Sequence, residues 1–135
     1  MEYYLNQCES FSKTISEYDI YNFAGICGDF NPVHINKEKA KESIFKGQVA
    51  HGMLISSFIS TVLGMYLPGP GTIYLGQTLS FKNPVYIGDT ITATVTIKEI
   101  KNESGIAKLD TIIVNQKKEV VVEGEAVVKL PQKVD

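Results

Sequence analysis

The second half of the chain alternates apolar and polar residues with a period of two, which is typical of β-strands with one buried face. The clearest alternation covers residues 90–100, where Ile91, Ala93, Val95 and Ile97 share one face and threonines occupy most of the other. Turn-forming glycines, asparagines and charged pairs separate this segment from its neighbours. The pattern predicts an antiparallel meander, preceded by one more strand, at residues 72–81, 90–100, 106–115 and 120–130.

The first half of the chain carries helical patterns instead. The longest apolar stretch lies within residues 51–67, and its apolar residues occur on nearly every side of a helix. This distribution predicts a helix that is buried all round. The stretch is too short for a membrane span and is interrupted by serines, a threonine and a glycine, so a core helix explains it better.

Shorter elements precede this helix. Ser16 and Asp19 stand three residues apart in the pattern of a helix N-cap and capping box, and Gly28 is a typical helix end. Pro32 disfavours the continuation of a helix. These signals predict, in order, a strand at residues 12–15, a helix at 17–27, a loop at 29–36 and a short exposed helix at 37–44.

A sheet with one buried face must place that face against another element. The helix at residues 51–67 is the only predicted element that is long and apolar enough to cover it. The length of 135 residues is that of one domain. The pattern therefore predicts a single α+β domain over residues 1–135, in which an antiparallel sheet packs on one long helix.

Composition and charge narrow the possible classes of function. Hydrophobic residues make up 44% of the chain and charged residues 21%, as in ordinary globular proteins. The formal net charge of -2 gives no reason to expect nucleic acid as a partner. We expect neither a signal peptide nor a membrane span. Two cysteines, Cys8 and Cys27, are too few for a disulfide framework, so we expect reduced thiols in the cytoplasm.

The segment that carries candidate chemistry is residues 28–34, Gly-Asp-Phe-Asn-Pro-Val-His. Asp29 and His34 lie five residues apart in a predicted loop that Pro32 stiffens. A carboxylate and an imidazole that converge on one water can remove its proton and return a proton to a substrate. Asn31 can orient either partner or the water. From spacing alone, a turn-capping aspartate beside a surface histidine explains the pair equally well.

The same segment resembles the signature of the MaoC-like (R)-specific enoyl-CoA hydratases, Gly-Asp-x-Asn-Pro-aliphatic-His followed by a small residue, here Ala40. The resemblance runs from about residue 12 to residue 130, with no departure at the motif positions. It implies the hotdog fold, a curved antiparallel sheet wrapped around a long central helix. Further similar blocks stand at residues 49–54 (Val-Ala-His-Gly-Met-Leu), 74–77, 81–85, 88–89 and 124–126.

The resemblance implies hydration of a trans-2-enoyl-CoA to the (R)-3-hydroxyacyl-CoA, with Asp29 and His34 as the catalytic pair. It also implies that the backbone N–H of Gly52, at the start of the long helix, holds the oxyanion that develops on the thioester carbonyl. Close packing of the helix against the sheet is the structural alternative for Gly52. Ser60 lies eight residues further on the same side. It fits a role near the pair or a bond to the carbonyl four residues back.

Further expectations concern the acyl pocket and possible ligands. The pocket floor is expected at Leu63 on the helix and at Val127 on the last strand, and their medium size favours a crotonyl-sized chain. His51 is more easily explained as a helix-end histidine that bonds to backbone. Because His34 and His51 are the only histidines and no cysteine cluster accompanies them, we expect no metal site. CoA belongs to the substrate, so we expect no separate cofactor.

Three other functions remain open at this point. The hotdog fold also hosts thioesterases, and the fold alone does not separate the two activities. A non-catalytic module that binds acyl-CoA would use the same fold, and a 3-hydroxyacyl-ACP dehydratase would act on the same acyl group on acyl carrier protein. The carrier or the CoA phosphates would need a basic patch. A solvated helix face explains the available lysines as well: Lys37, Lys39, Lys41 and Lys46.

A single hotdog sheet leaves one edge unpaired, and exposed edges favour association. The resemblance implies that two such sheets pair into one continuous sheet. We therefore expect a homodimer or a larger homo-oligomer.

Overall fold

The chain forms four helices and six strands in the computed structural model, which describes residues 2–132. Helices fill most of the first half and strands the second, as the hydrophobic pattern predicts. The elements follow in the order β1 (Cys8–Thr14), α1 (Glu17–Cys27), α2 (Pro32–Ile35), α3 (Lys37–Glu42), α4 (Gly52–Met65), β2 (Ile73–Gln77), β3 (Ser80–Phe81), β4 (Thr90–Lys101), β5 (Ile106–Val114) and β6 (Val120–Lys129).

All six strands belong to one antiparallel sheet. Its order is β1-β4-β5-β6-β2, and β3 also pairs with β6. Short turns connect β4 to β5 and β5 to β6, which confirms the predicted meander. Register shifts interrupt the β2–β6, β4–β5 and β5–β6 pairs. Such bulges bend the strands and increase their twist, so the sheet curves.

The buried face of the sheet is covered by α4. This helix contacts β1, β4, β5 and β6, and its residues Ile55, Ile59, Val62 and Leu63 are almost completely buried. The four β4 residues that alternation assigns to the inner face are all fully buried. Each large apolar side chain removed from water contributes roughly 1.5–3 kcal/mol. The predicted α+β architecture is confirmed, with the long helix lying across the sheet as in the hotdog fold.

The prediction that this helix is buried all round is wrong. Met53, Ser57 and Ser60 are exposed, and Met65 at its last residue is 64% exposed. The first three are spaced by four and three residues, so they form one stripe on the side that faces away from the sheet. No helix within residues 2–132 is both long and apolar enough to cross a membrane.

Helix α1 has the bounds that its caps predict. The Ser16 side chain accepts a hydrogen bond from the Asp19 N–H (3.1 Å), and the Asp19 carboxylate accepts one from the Ser16 N–H (2.9 Å). At the other end Gly28 adopts a left-handed conformation, φ 81°, and its N–H donates to the Ala24 carbonyl (2.8 Å). This conformation favours glycine, and it turns the chain towards the segment that carries Asp29.

The loop predicted at residues 29–36 contains a single helical turn, α2. Pro32 occupies its first position, where the missing N–H costs no hydrogen bond. The Asn31 side chain caps the turn by accepting from the Val33 N–H (3.4 Å). Other bounds also differ from the predictions: β1 begins at Cys8, and α3 and α4 each end two residues earlier, at Glu42 and Met65. The remaining differences are one residue at an end.

The strand predicted at residues 72–81 divides into β2 and β3 around Thr78. The Thr78 N–H donates to the Glu125 carbonyl (2.9 Å), and its hydroxyl accepts from the Glu125 N–H (2.9 Å). The Thr78 backbone passes so close to Gly124 that a Cβ at position 124 would lie 1.8 Å from the Thr78 carbonyl oxygen. Only glycine fits at this crossing without a shift of the backbone.

We expect Gly124→Ala to lower the free energy of unfolding by about 1–3 kcal/mol, because the added methyl group forces β6 away from Thr78. Urea denaturation at fixed protein concentration measures the change. Gly25→Ala is the matched control, since nothing lies within 4 Å of its added methyl group in α1. It should raise stability by roughly 0.5–1 kcal/mol. Similar effects of both substitutions would contradict the close approach.

Candidate active site

Asp29 lies at the corner between α1 and α2, directly after the left-handed Gly28. Its Oδ1 accepts a hydrogen bond from the Asn31 N–H (3.1 Å), which forms an Asx turn. This turn gives the carboxylate a defined direction although the side chain is exposed. The exposure leaves the carboxylate open to water or to a ligand.

His34 lies on α2, and its ring reaches the segment that precedes α4. The ring Nδ1 is 2.7 Å from the Val49 carbonyl oxygen. A carbonyl only accepts hydrogen bonds, so Nδ1 carries the hydrogen and Nε2 of the neutral ring carries the lone pair. The atom of His34 that is open to proton transfer is therefore Nε2.

A chain of side-chain hydrogen bonds also holds the backbone carbonyl of His34. The buried amide of Gln48 donates to the His34 carbonyl (2.8 Å) and to the Tyr21 hydroxyl (3.1 Å). Tyr21 donates to the Glu17 carboxylate (2.6 Å), and this hydrogen bond raises the pKa of the Tyr21 hydroxyl. Sequence reasoning missed Gln48, because a buried amide with a supporting role has no characteristic spacing.

His51 precedes α4 and is 3% exposed. Its Nε2 donates to the Asp29 carbonyl (2.9 Å), which agrees with the expected backbone partner. The ring also stacks on His34, with 3.8 Å between centroids and 24° between planes, and the edge of Phe23 packs against it at 5.0 Å. His51 thus belongs to the candidate site. In the sequence, the only sign of this is its position next to Gly52.

Asp29, His34 and His51 form one cluster, in which one carboxylate oxygen and one nitrogen of each ring lie within 4.8 Å of one another. These are donor types that bind zinc. One nitrogen of each ring already bonds to a backbone carbonyl, and the two rings stack on each other. The expected absence of a metal stays a prediction.

A largely apolar cavity of about 580 Å³ opens beside His34. Gly52, the first residue of α4, lines it and packs against Phe81, so that a Cβ at position 52 would lie 2.6 Å from the ring. Within the described residues no side chain caps the start of α4. Its first N–H groups therefore lie at the positive end of the helix without a side-chain acceptor. The apolar wall of the cavity includes Phe45, Ile55, Val121 and Val122.

Four predicted site residues do not line this cavity: Asp29, Ser60, Leu63 and Val127. Asp29 nevertheless lies close to the lining residue His34. Ser60 belongs to the exposed stripe of α4, and Leu63 is a core residue that is 1% exposed. Val127 lies between the buried Ala126 and Val128, so its side chain projects from the opposite face of the sheet. The expected acyl-pocket floor at Leu63 and Val127 therefore stays a prediction. By contrast, the structure brings Asp29, His34, Asn31 and Gly52 to one region.

The chain is similar to known proteins over most of its length. The family model described as MaoC like domain matches residues 7–123. The (R)-specific enoyl-CoA hydratase of Rhodospirillum rubrum is 52% identical over 125 residues, which is 93% of this chain and 86% of that relative. The 3-hydroxybutyryl-CoA dehydratase of Methylorubrum extorquens is 44% identical over 126 residues, 93% of this chain and 79% of the relative.

Solved structures show the same fold. An (R)-hydratase from A. caviae involved in PHA biosynthesis superposes with a TM-score of 0.93 at 43% identity, covering 96% of this chain and 98% of the other. The name of a relative at lower identity specifies another carrier of the acyl group. The mitochondrial 3-hydroxyacyl-[acyl-carrier-protein] dehydratase FERN of Solanum lycopersicum is 38% identical over 123 residues, 89% of this chain and 73% of the relative.

The hydrogen bonds predict opposite tautomers for the two histidines, which are the only two in the chain. His34 should carry its hydrogen on Nδ1 and His51 on Nε2. Long-range ¹H–¹⁵N correlation spectra, recorded at a pH where both rings are neutral, distinguish the two forms. A His34→Gln variant, which leaves His51 as the one histidine, assigns the signals. The same tautomer for both rings would contradict the described hydrogen bonds.

Proposed function

This chain belongs to the MaoC-like domain family, and we propose that it catalyses the reversible addition of water to a short-chain trans-2-enoyl-CoA, which yields the (R)-3-hydroxyacyl-CoA. One observation carries the proposal. The Asp29 carboxylate and a ring nitrogen of His34 lie within 4.8 Å of each other, beside an apolar cavity. The names of the relatives at 52% and 44% identity, a hydratase and a dehydratase, support this reaction and its reverse.

In the proposed mechanism Asp29 and His34 share one water molecule. The water oxygen forms a bond to the β-carbon while one of the two groups takes a water proton. The electron pair of the carbon–carbon double bond moves towards the thioester carbonyl, and a proton is then delivered to the α-carbon. Because Nδ1–H of His34 is engaged with Val49, Nε2 is the atom through which this ring exchanges the proton.

The thioester carbonyl would accept a hydrogen bond from the N–H of Gly52. Negative charge develops on this oxygen during attack, and the N-terminus of α4 presents N–H groups at the positive end of its dipole. A side chain at position 52 would collide with Phe81. Glycine at this position would combine the two roles that the sequence leaves open, close packing and access of the substrate to the N–H.

The acyl group would lie in the apolar cavity, with a four-carbon chain as the first candidate. The name of the 44% identical relative specifies a 3-hydroxybutyryl group, which has four carbons. The large side chains of Phe45 and Phe81 narrow the cavity. The proposed reaction needs no cofactor, because CoA is part of the substrate.

A second candidate differs only in the carrier of the acyl group. The relative at 38% identity is named as a dehydratase that acts on acyl carrier protein. Four lysines around α3 are exposed, as an acidic carrier or the CoA phosphates would require, although Lys41 pairs with Glu38 (3.6 Å). We favour CoA because the relatives at higher identity are named for it. The exposed lysines are Lys37, Lys39, Lys41 and Lys46.

We further propose that the protein is a homodimer that pairs through β2. This edge strand exposes the apolar side chains of Ile73 (54%) and Leu75 (53%). The opposite edge, β1, is polar, and three of its hydroxyl side chains bond to threonines of β4. An apolar edge favours pairing with a second copy.

We also propose that the protein is cytoplasmic. Cys8 and Cys27 are free and exposed, which fits a reducing compartment.

We expect Asp29→Asn to lower kcat for crotonyl-CoA hydration by about 10²–10⁴-fold with little change in KM. Asparagine preserves the shape and the Asx-turn acceptor, so the loss reports the charge and the proton transfer. Decay of the enoyl thioester absorbance measures the rate, and an (R)-specific dehydrogenase identifies the product. Asp110→Asn, an exposed site on β5, is the matched control and should keep wild-type kcat.

The same assay separates the competing functions. Release of free CoA by the wild type would indicate a thioesterase, and binding of crotonyl-CoA without turnover would indicate a non-catalytic module. Turnover of the crotonyl group only on acyl carrier protein would move the assignment to the second candidate.

For the dimer, we expect Leu75→Asp to shift the sedimentation coefficient from that of a dimer to that of a monomer, because a buried charge at the β2 edge opposes association. Cys8→Asp places the same charge on the β1 edge and should leave the dimer intact. Dissociation by Cys8→Asp alone would assign the interface to β1 instead.

A further inference from the structure

We infer that His51 is a positioning residue, which fixes Asp29 and His34 relative to each other through two separate contacts of one ring. The inference rests on the proposed function, in which these two groups share a water molecule. His51 is buried, so it acts through its neighbours and does not itself reach the substrate. One contact is a hydrogen bond and the other is ring stacking.

The hydrogen bond ties the Asp29 backbone to the start of α4. The His51 Nε2–H donates to the Asp29 carbonyl at 2.9 Å. Asp29 follows Gly28 at the end of α1, and its carboxylate is oriented only by an Asx turn in an exposed corner. The bond from the buried ring restrains this corner. It also sets the distance from the carboxylate to Gly52, the residue next to His51.

The stacking contact restrains the ring of His34. The Nδ1–H bond to Val49 fixes one edge of that ring, but a ring can still pivot about a single hydrogen bond. The face of His51, 3.8 Å away and inclined by 24°, blocks the pivot on one side. Phe23 packs edge-on against His51 and holds it in turn. The direction of the His34 Nε2 lone pair is therefore set by two contacts.

If stability were the only requirement, a histidine would be an unfavourable residue at position 51. Within residues 2–132, Nδ1 of His51 is buried without a hydrogen-bond partner. Burial of such an atom costs stability, whereas an apolar ring of similar shape would avoid the cost. Native proteins tolerate buried polar atoms without partners mainly where function requires the group. The ring combines a donor on one edge with an aromatic face, and both are used here.

Three substitutions separate the two contacts. His51→Phe keeps the aromatic face and loses the donor to Asp29. His51→Gln keeps a donor and loses the face, and His51→Leu loses both. Ile59→Val is the control for stability alone, because Ile59 is a fully buried residue of α4 that does not line the cavity.

The measurements are kcat and KM for crotonyl-CoA per folded molecule, together with urea denaturation. We expect His51→Leu to lower kcat by about 10²-fold with KM nearly unchanged, since loss of alignment reduces rate more than binding. His51→Gln and His51→Phe should each recover part of the loss. His51→Phe should stay close to wild-type stability, because loss of the donor to Asp29 offsets removal of the unpartnered Nδ1, and it should still be slower. Ile59→Val should be less stable with wild-type kcat.

Wild-type kcat in either His51→Phe or His51→Gln would overturn the inference that both contacts act, and these two variants decide even if His51→Leu does not fold. A rise in KM at constant kcat would also overturn it. The ¹⁵N spectrum of the His34 ring gives a readout that does not depend on turnover. We expect His51→Gln to lose the single Nδ1–H form of His34. An unchanged spectrum would count against the stacking role. If the wild type does not hydrate crotonyl-CoA, the proposed function fails while this spectroscopic test still stands.

Discussion

The site depends on the burial of the sheet face by α4. This contact buries apolar side chains of both the helix and the sheet in one cluster, and their close packing fixes how the helix lies on the sheet. The segment before the helix is then held on both sides, because the Ala50 N–H donates to the Val85 carbonyl (2.8 Å) and the Val49 N–H to the Val33 carbonyl (3.1 Å). Core packing thereby places the Val49 carbonyl where it orients His34.

Local chemistry explains which parts of the fold could be predicted from the sequence. The caps of α1 depend on Ser16, Asp19 and Gly28 alone, so the predicted bounds of that helix match the structure. The alternation in β4 depends on one buried face and is equally local. The Asp29–His34 pair was identifiable because its motif is compact and resembles a known family. In each case the determining residues lie close together in the chain.

The remaining features depend on contacts between distant segments. One example is which side chains of β6 face the core. The β5–β6 register shifts near Val121, so Val121 and Val122 are both buried. Simple alternation along the strand therefore does not reveal that Val127 lies on the outer face. The stacking of His51 on His34 is another, since it joins residues 17 positions apart in the chain. The one-turn helix at Pro32 was hidden because proline favours a helix start as well as a loop.

Several locally unfavourable features meet at the start of α4. Among residues 2–132 no side chain caps the helix, although a cap typically contributes about 0.5–2 kcal/mol. His51 buries a nitrogen without a partner, and the Asp29 carboxylate is held in an exposed corner. Each feature has a counterpart in the proposed chemistry: free N–H groups for an oxyanion, a ring that orients two neighbours, and a charge open to water. Stability alone explains none of them, and their coincidence at one cavity is best explained by selection for catalysis there.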